Sequence, residues 1–203
     1  MATFQAVYVR IPSLDGVPGE RFAQHLRGTA EARVQAPWVE LEVLSLQDMD
    51  VLGRAVSELC DVDAVAVQIQ TGASVFGLWT FSGGEQTRLL TYSDGRWLQA
   101  EGMRQPWEAA AFFSEEQRED ALADADEEEH STVRQVFAAR NIEPGSFYPS
   151  PSFLEFLPAL GVDKAWWELL RKRPVAGRIQ GQRGLLGAVR SLFKRRGWEH
   201  LAS

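Results

Sequence analysis

From about residue 64 to residue 102 the sequence keeps a period of two and is cut by glycine turns. The runs "AVAVQIQ", "SVFGLWTF", "QTRLLTY" and "RWLQAEG" alternate apolar and polar residues, as strands do. Between them stand "TGA", "SGGE" and "SDGR". Gly-Gly and Asp-Gly supply the positive φ that a two-residue type I′ hairpin loop needs at both central positions. The segment therefore predicts an antiparallel β-meander, which constrains the fold more than any other feature of the chain.

Two-residue loops at Gly83-Gly84 and Asp94-Gly95 also predict a register. Tyr92 would face Trp97, Leu90 would face Gln99, and Trp79 would face Arg88. Because side chains alternate between faces, one face would gather Phe76, Leu78, Leu89, Thr91, Leu98 and Ala100, which reads as core. The other would gather Trp79, Phe81, Arg88, Leu90, Tyr92, Trp97, Gln99 and Glu101. Trp, Tyr and Arg are enriched at interface hot spots, so Trp79, Arg88, Tyr92, Trp97 and Glu101 form a candidate binding surface. The competing reading is scaffold, with helices of the same chain closing over this face. Burial of Trp79 and Trp97 separates the two.

Upstream, "FQAVYVRI" is apolar on both faces, as in a central strand. A helix is expected from Pro18 to Ala32, with His25 on its inner stripe as a core histidine. "WVELEVLSL" reads as a strand with one wet face, and "DMDVLGRAVSELC" as an amphipathic helix capped by Asp48 or Asp50. Downstream of Pro106 the chain turns helical, with helices expected near 107–112, 115–123 and 127–140. Ser114-x-x-Gln117 and Asp124-x-x-Glu127 have the capping-box pattern. "SFLEFLPALG" and "DKAWWELLRKRP" read as two short helices, "VAGRIQGQRG" as a linker, and "LLGAVRSLFKRR" as a last helix. The fold class is α+β: a βαβα start, then the meander, with C-terminal helices on one face of the sheet. The domain division is 1–177 for the α+β domain and 178–203 for a basic amphipathic helical tail.

Charge is unevenly spread. Residues 164–203 hold ten of the 21 Lys and Arg and two of the 28 acids, about +8, which leaves about −15 on residues 1–163. In the tail, Leu185, Leu186, Val189, Leu192 and Phe193 share one helical face, while Arg190, Lys194, Arg195 and Arg196 offer a basic contact surface. Such a helix can dock on its own domain or meet a protein, polyanion or membrane surface. The acidic body opposes nucleic acid.

Catalytic signatures are not found. There is no nucleophile elbow, phosphate-binding loop or zinc helix motif. Glu127-x-x-His130 has di-iron spacing but occurs once, where a di-iron bundle needs two such pairs. The acid run 124–129 suits the positive end of a helix. Cys60 is the one cysteine and reads as a buried helix residue; the absence of disulfides suits a reducing, cytoplasmic setting. No cofactor or metal is expected. The stretch "RLLTYSDGRWLQAEGMRQPWEAAAFF" resembles segments of small uncharacterised bacterial proteins that share a hairpin, a Glu-Gly step and a Pro-Trp-Glu helix start, over residues 64–113. That resemblance implies no activity.

The sequence thus points first to a non-enzymatic protein-binding module that uses the aromatic sheet face, the tail, or both. The alternatives are an enzyme or small-ligand binder with a pocket between the sheet and the C-terminal helices, and a nucleic-acid or membrane contact through the tail.

Overall fold

The computed structural model describes residues 3–181. Eight strands form one antiparallel sheet: β1 (Thr3–Val9), β2 (Thr29–Gln35), β3 (Trp38–Val43), β4 (Asp63–Gln70), β5 (Val75–Ser82), β6 (Glu85–Ser93), β7 (Arg96–Gly102) and β8 (Gly177–Gln180). Their order across the sheet is β7-β6-β5-β4-β1-β3-β2-β8. The helices are α1 (Gly19–Ala23), α2 (Met49–Cys60), α3 (Glu108–Phe112), α4 (Glu115–Asp124), α5 (His130–Ala139) and α6 (Lys164–Lys172). The chain is α+β, with the expected antiparallel meander running from β4 to β7.

Two cores flank the sheet. On one face Phe22, Leu26, Met49, Leu52 and Val56 from the α1–α2 region pack on Val7, Val9, Leu41, Ala66 and Phe81. On the other, Phe112, Phe113, Phe137, Tyr148, Phe156 and Leu170 close over Phe4, Tyr8, Val65, Val67, Phe76, Leu90, Tyr92 and Trp97. β1 lies between β4 and β3 and is buried from Phe4 to Val9, as its two-sided apolar pattern requires.

Four sequence expectations need correction. The helix expected over 18–32 ends at Ala23, because Thr29–Gln35 alternates Ala30, Ala32 and Val34 against Glu31 and Arg33 and pairs with β3. His25 is consequently exposed rather than in the core. The supposed linker after Arg173 contains β8, which pairs with β2; Arg178, assigned to the tail, ion-pairs with Glu31 at 2.7 Å. Of the two capping boxes, Ser114 and Gln117 form theirs reciprocally. Asp124 instead ends α4, and α5 starts only at His130. "SFLEFLPALG" makes a single 3-10 turn, Leu157–Leu160, while Asp163 caps α6 through the Trp166 amide. The tail residues Arg190, Lys194, Arg195 and Arg196 lie outside the described residues.

Candidate functional site

Both hairpin loops form as the glycines dictate. Gly83, Gly84, Asp94 and Gly95 all have positive φ, and Ser82↔Glu85, Ser93↔Arg96 and Tyr92↔Trp97 pair directly. One residue farther from each loop the register shifts, because Thr87 and Leu98 are extra residues opposite single partners. Each bulge moves the following residues to the opposite face. Trp79 therefore faces Leu89 rather than Arg88, and Leu90 faces Ala100 rather than Gln99.

The expected single aromatic face is thus split. Arg88, Tyr92 and Trp97 point to the C-terminal helices. Trp79 lies on the α2 side, half-buried, with its ring over Gly77, where a Cβ would sit 2.3 Å from the indole. Glu101 is exposed on the edge strand and accepts a hydrogen bond from Gln99. Leu98, expected in the core, bulges outward and is 56% exposed.

What closes over Trp97 is the chain itself. Trp97 is 0% exposed and meets Phe76, Tyr92, Phe112 and Tyr148 at ring separations of 5.1–6.1 Å. The Tyr92 hydroxyl donates to the Tyr148 carbonyl at 3.0 Å. Arg88 is buried against Glu108 at the start of α3. Its Nε and Nη2 donate to the two carboxylate oxygens at 2.9 and 2.8 Å. Its Nη1 donates to the carbonyls of Glu101 and Gly102. This is the fixed fork geometry at which arginine excels, used here to pin α3 to the sheet. Arg88, Tyr92 and Trp97 offer no surface to a partner.

A second buried polar cluster lies under α6. Glu40 accepts from the Tyr8 hydroxyl at 2.7 Å, from Arg33 at 3.1 Å and from Arg171 at 3.0 Å, while Glu42 accepts from both arginines. Burial pushes the Glu40 carboxyl upward against the pull of Arg171 and the Tyr8 hydrogen bond, and pushes the Tyr8 hydroxyl well upward. Arg171 also lies over the rings of Phe4 and Trp167. Each charged group has its partners, so the cluster reads as the lock between α6 and the sheet.

An open cleft of about 590 Å³ lies between the sheet and the chain after Pro106. Its walls are Trp38, Val65, Thr80 and Thr87 from the sheet, Trp107 before α3, and the turn 158–162. Arg10, Asp63 and Ser82 stand at its rim. Trp38 is held by its indole N–H, which donates to the Leu160 carbonyl at 3.0 Å. The Thr80 and Thr87 hydroxyls lie 2.7 Å apart. Arg10 meets Asp63 only at 3.6 Å, and both side chains are at least half exposed. The site combines aromatic walls, a hydroxyl pair and a loosely engaged guanidinium, the mixture that small-molecule clefts use for packing and orientation. Sequence reading assigned no binding role to Trp38, Thr80, Thr87, Trp107 or Arg10. These residues are distant in sequence and converge only through the strand order, although the bulge that turns Thr87 toward the cleft follows a recognisable Gly-Gly loop.

The remaining candidates for chemistry stay apart. His25 is exposed; His130 is half-buried, with Nε2 3.3 Å from the Ala125 carbonyl. Cys60 is half-buried at the end of α2, where burial pushes its thiol up and its sulfur lies 3.7 Å from the Gly16 carbonyl. That is a poor setting for a thiolate nucleophile. Glu155 is the most perturbed carboxyl of moderate burial: desolvation pushes it up to about 7 while Ser152, Gln117 and Tyr148 donate to it. Among the described residues no three His, Cys, Asp or Glu side chains are grouped to hold a metal ion. No described helix is long and apolar enough to cross a membrane. Comparison with protein-family models, with curated proteins and with solved structures gives no match to this chain.

Proposed function

We propose that the chain is a cytoplasmic small-ligand-binding protein that seats its ligand in the cleft between Trp38 and Trp107. The observation carrying this reading is the cleft itself, about 590 Å³, within the range that takes a small molecule. Its lining defines the ligand class: a flat apolar body to lie against the half-buried Trp107, with a hydrogen-bonding edge for Thr80 and Thr87 and an acidic group for Arg10, while the buried Trp38 backs the cleft. A single half-buried cysteine supports the reducing compartment.

The test is a titration of the full chain with aromatic carboxylates, followed through backbone and indole N–H resonances. Binders are expected to shift Trp107, Thr87 and Arg10 together, and Arg10→Gln is expected to weaken them about tenfold, roughly 1.4 kcal/mol. Ligands that map elsewhere, or that bind Arg10→Gln and Trp107→Ala as well as the wild type, refute the assignment.

The protein-binding reading keeps one supporting observation. Leu44, Leu46 and Val51 are 50–65% exposed within eight residues, at the corner between β3 and α2. A protein partner there would be lost on Leu46→Glu. The basic tail residues Arg190, Lys194, Arg195 and Arg196 would add charge to such a contact, and nucleic acid or a membrane surface remain the weaker partners for them because the body is acidic.

A further inference from the structure

A second cleft, independent of the first, opens between α4 and α5. It measures about 540 Å³ and is lined by Phe113, Ser114, Arg118, Arg134, Phe137 and Arg140, with Glu115 the one acid in its wall. We propose that this cleft binds a small polyanion carrying two or more phosphate or carboxylate groups.

The argument starts from unmet hydrogen bonds. Arg118 spends Nη2 on Glu115, one turn back on the same helix, but its Nε is buried with no partner among the described residues. Buried polar atoms are almost always satisfied, so an orphaned donor beside an open cleft marks a place where an acceptor belongs. The side chains of Arg134, on α5, and Arg140, at its C-terminal cap, make no hydrogen bond or ion pair among the described residues. Three guanidinium groups thus face one carboxylate, in a body that otherwise carries a large excess of acid.

Such a local reversal of sign in a concave site concentrates anions. Guanidinium is the group suited to planar, forked recognition of phosphate and carboxylate oxygens. The amides at the start of α4 are not the attraction, since Ser114 and Gln117 already cap that helix reciprocally. Phe113 and Phe137 pack edge to face at 5.6 Å beneath the arginines and are themselves buried. They give the site a rigid apolar floor but little surface for an aromatic ligand, so charge rather than stacking sets the preference.

The test titrates the full chain with inorganic pyrophosphate, using sodium chloride at matched ionic strength as control, and follows arginine Nε–H resonances. Pyrophosphate is expected to shift Arg118 Nε–H saturably, with chloride producing at most a small shift. Arg134→Gln/Arg140→Gln, which removes exposed side chains, is expected to lower the affinity at least tenfold while leaving the melting temperature in place. Monovalent phosphate esters are expected to bind more weakly than pyrophosphate. Shifts spread evenly over Arg21 and Arg104 as well, affinity retained in the double variant, or binding only to a nucleic-acid strand would each overturn the proposal. Because the Trp38–Trp107 cleft shares no residue with this one, Arg10→Gln serves as a control that leaves pyrophosphate binding unchanged, and the two assignments fail separately.

Discussion

The buried pair Arg88–Glu108 sets a stringent stability test. Arg88 is 3% exposed and Glu108 0%, and they share two hydrogen bonds of 2.9 and 2.8 Å. Glu108 also accepts from the Gln105 amide at 2.7 Å, so the pair fixes both the entry to α3 and the edge strand β7. Glu108→Gln keeps the shape but leaves a guanidinium buried without its counter-charge. Breaking a buried pair in this way costs about 3–5 kcal/mol. For a domain of this length about 2–4 °C is lost per kcal/mol, so the melting point should fall by roughly 6–20 °C. Arg88→Met should cost a similar amount, because it strands the carboxylate. The double variant Arg88→Met/Glu108→Leu orphans the Glu101 and Gly102 carbonyls and the Gln105 amide, at about 1 kcal/mol each, so it should cost no more than either single variant and far less than their sum. Urea unfolding of the four proteins gives the coupling energy directly. A single variant costing under about 1 kcal/mol, or losses that simply add, would refute the claim that this pair locks α3 to the sheet.

Three further outcomes follow. Trp97→Ala empties the centre of an aromatic cluster and should cost about 3–5 kcal/mol in urea unfolding. Ser114→Ala removes one half of a formed capping box and should cost about 1 kcal/mol, whereas Asp124→Ala, which caps nothing, should be near neutral. Glu155 ionises near 7 in the fold against 4.5 in the unfolded chain, so the native state holds its proton longer. Its contribution to stability is complete below 4.5 and is lost as pH rises through 7. Thermal unfolding between pH 4.5 and 7.5 should therefore flatten in Glu155→Gln.

The turn chemistry of this chain was legible because it is local. Gly-Gly, Asp-Gly and Ser114-x-x-Gln117 each carry their own geometry, and the meander follows from them. The faces were not legible, because one extra residue in each of two strands inverts every side chain beyond it. Thr87 and Leu98 carry no mark that separates them from their neighbours; only Gly102, which ends β7 at positive φ where a Cβ would sit 2.3 Å from the Thr87 carbonyl oxygen, hints at the irregularity. β2 and β8 were missed for a different reason. Their few apolar residues, Ala30, Ala32 and Ile179, become core only through pairing with a distant strand. The cleft was anticipated as a location after Pro106, but its walls come from six separate segments.

The central claim is that ligand binding belongs to the Trp38–Trp107 cleft and that the aromatic hairpin face is closed core. Indole N–H spectra of the full chain, with each tryptophan assigned, test both halves at once. Trp97 should be protected from hydrogen exchange and indifferent to ligand, while Trp107 shifts and Trp38 follows it. Rapid exchange at Trp97, or a ligand that moves Trp97 and leaves Trp107 still, would contradict the account.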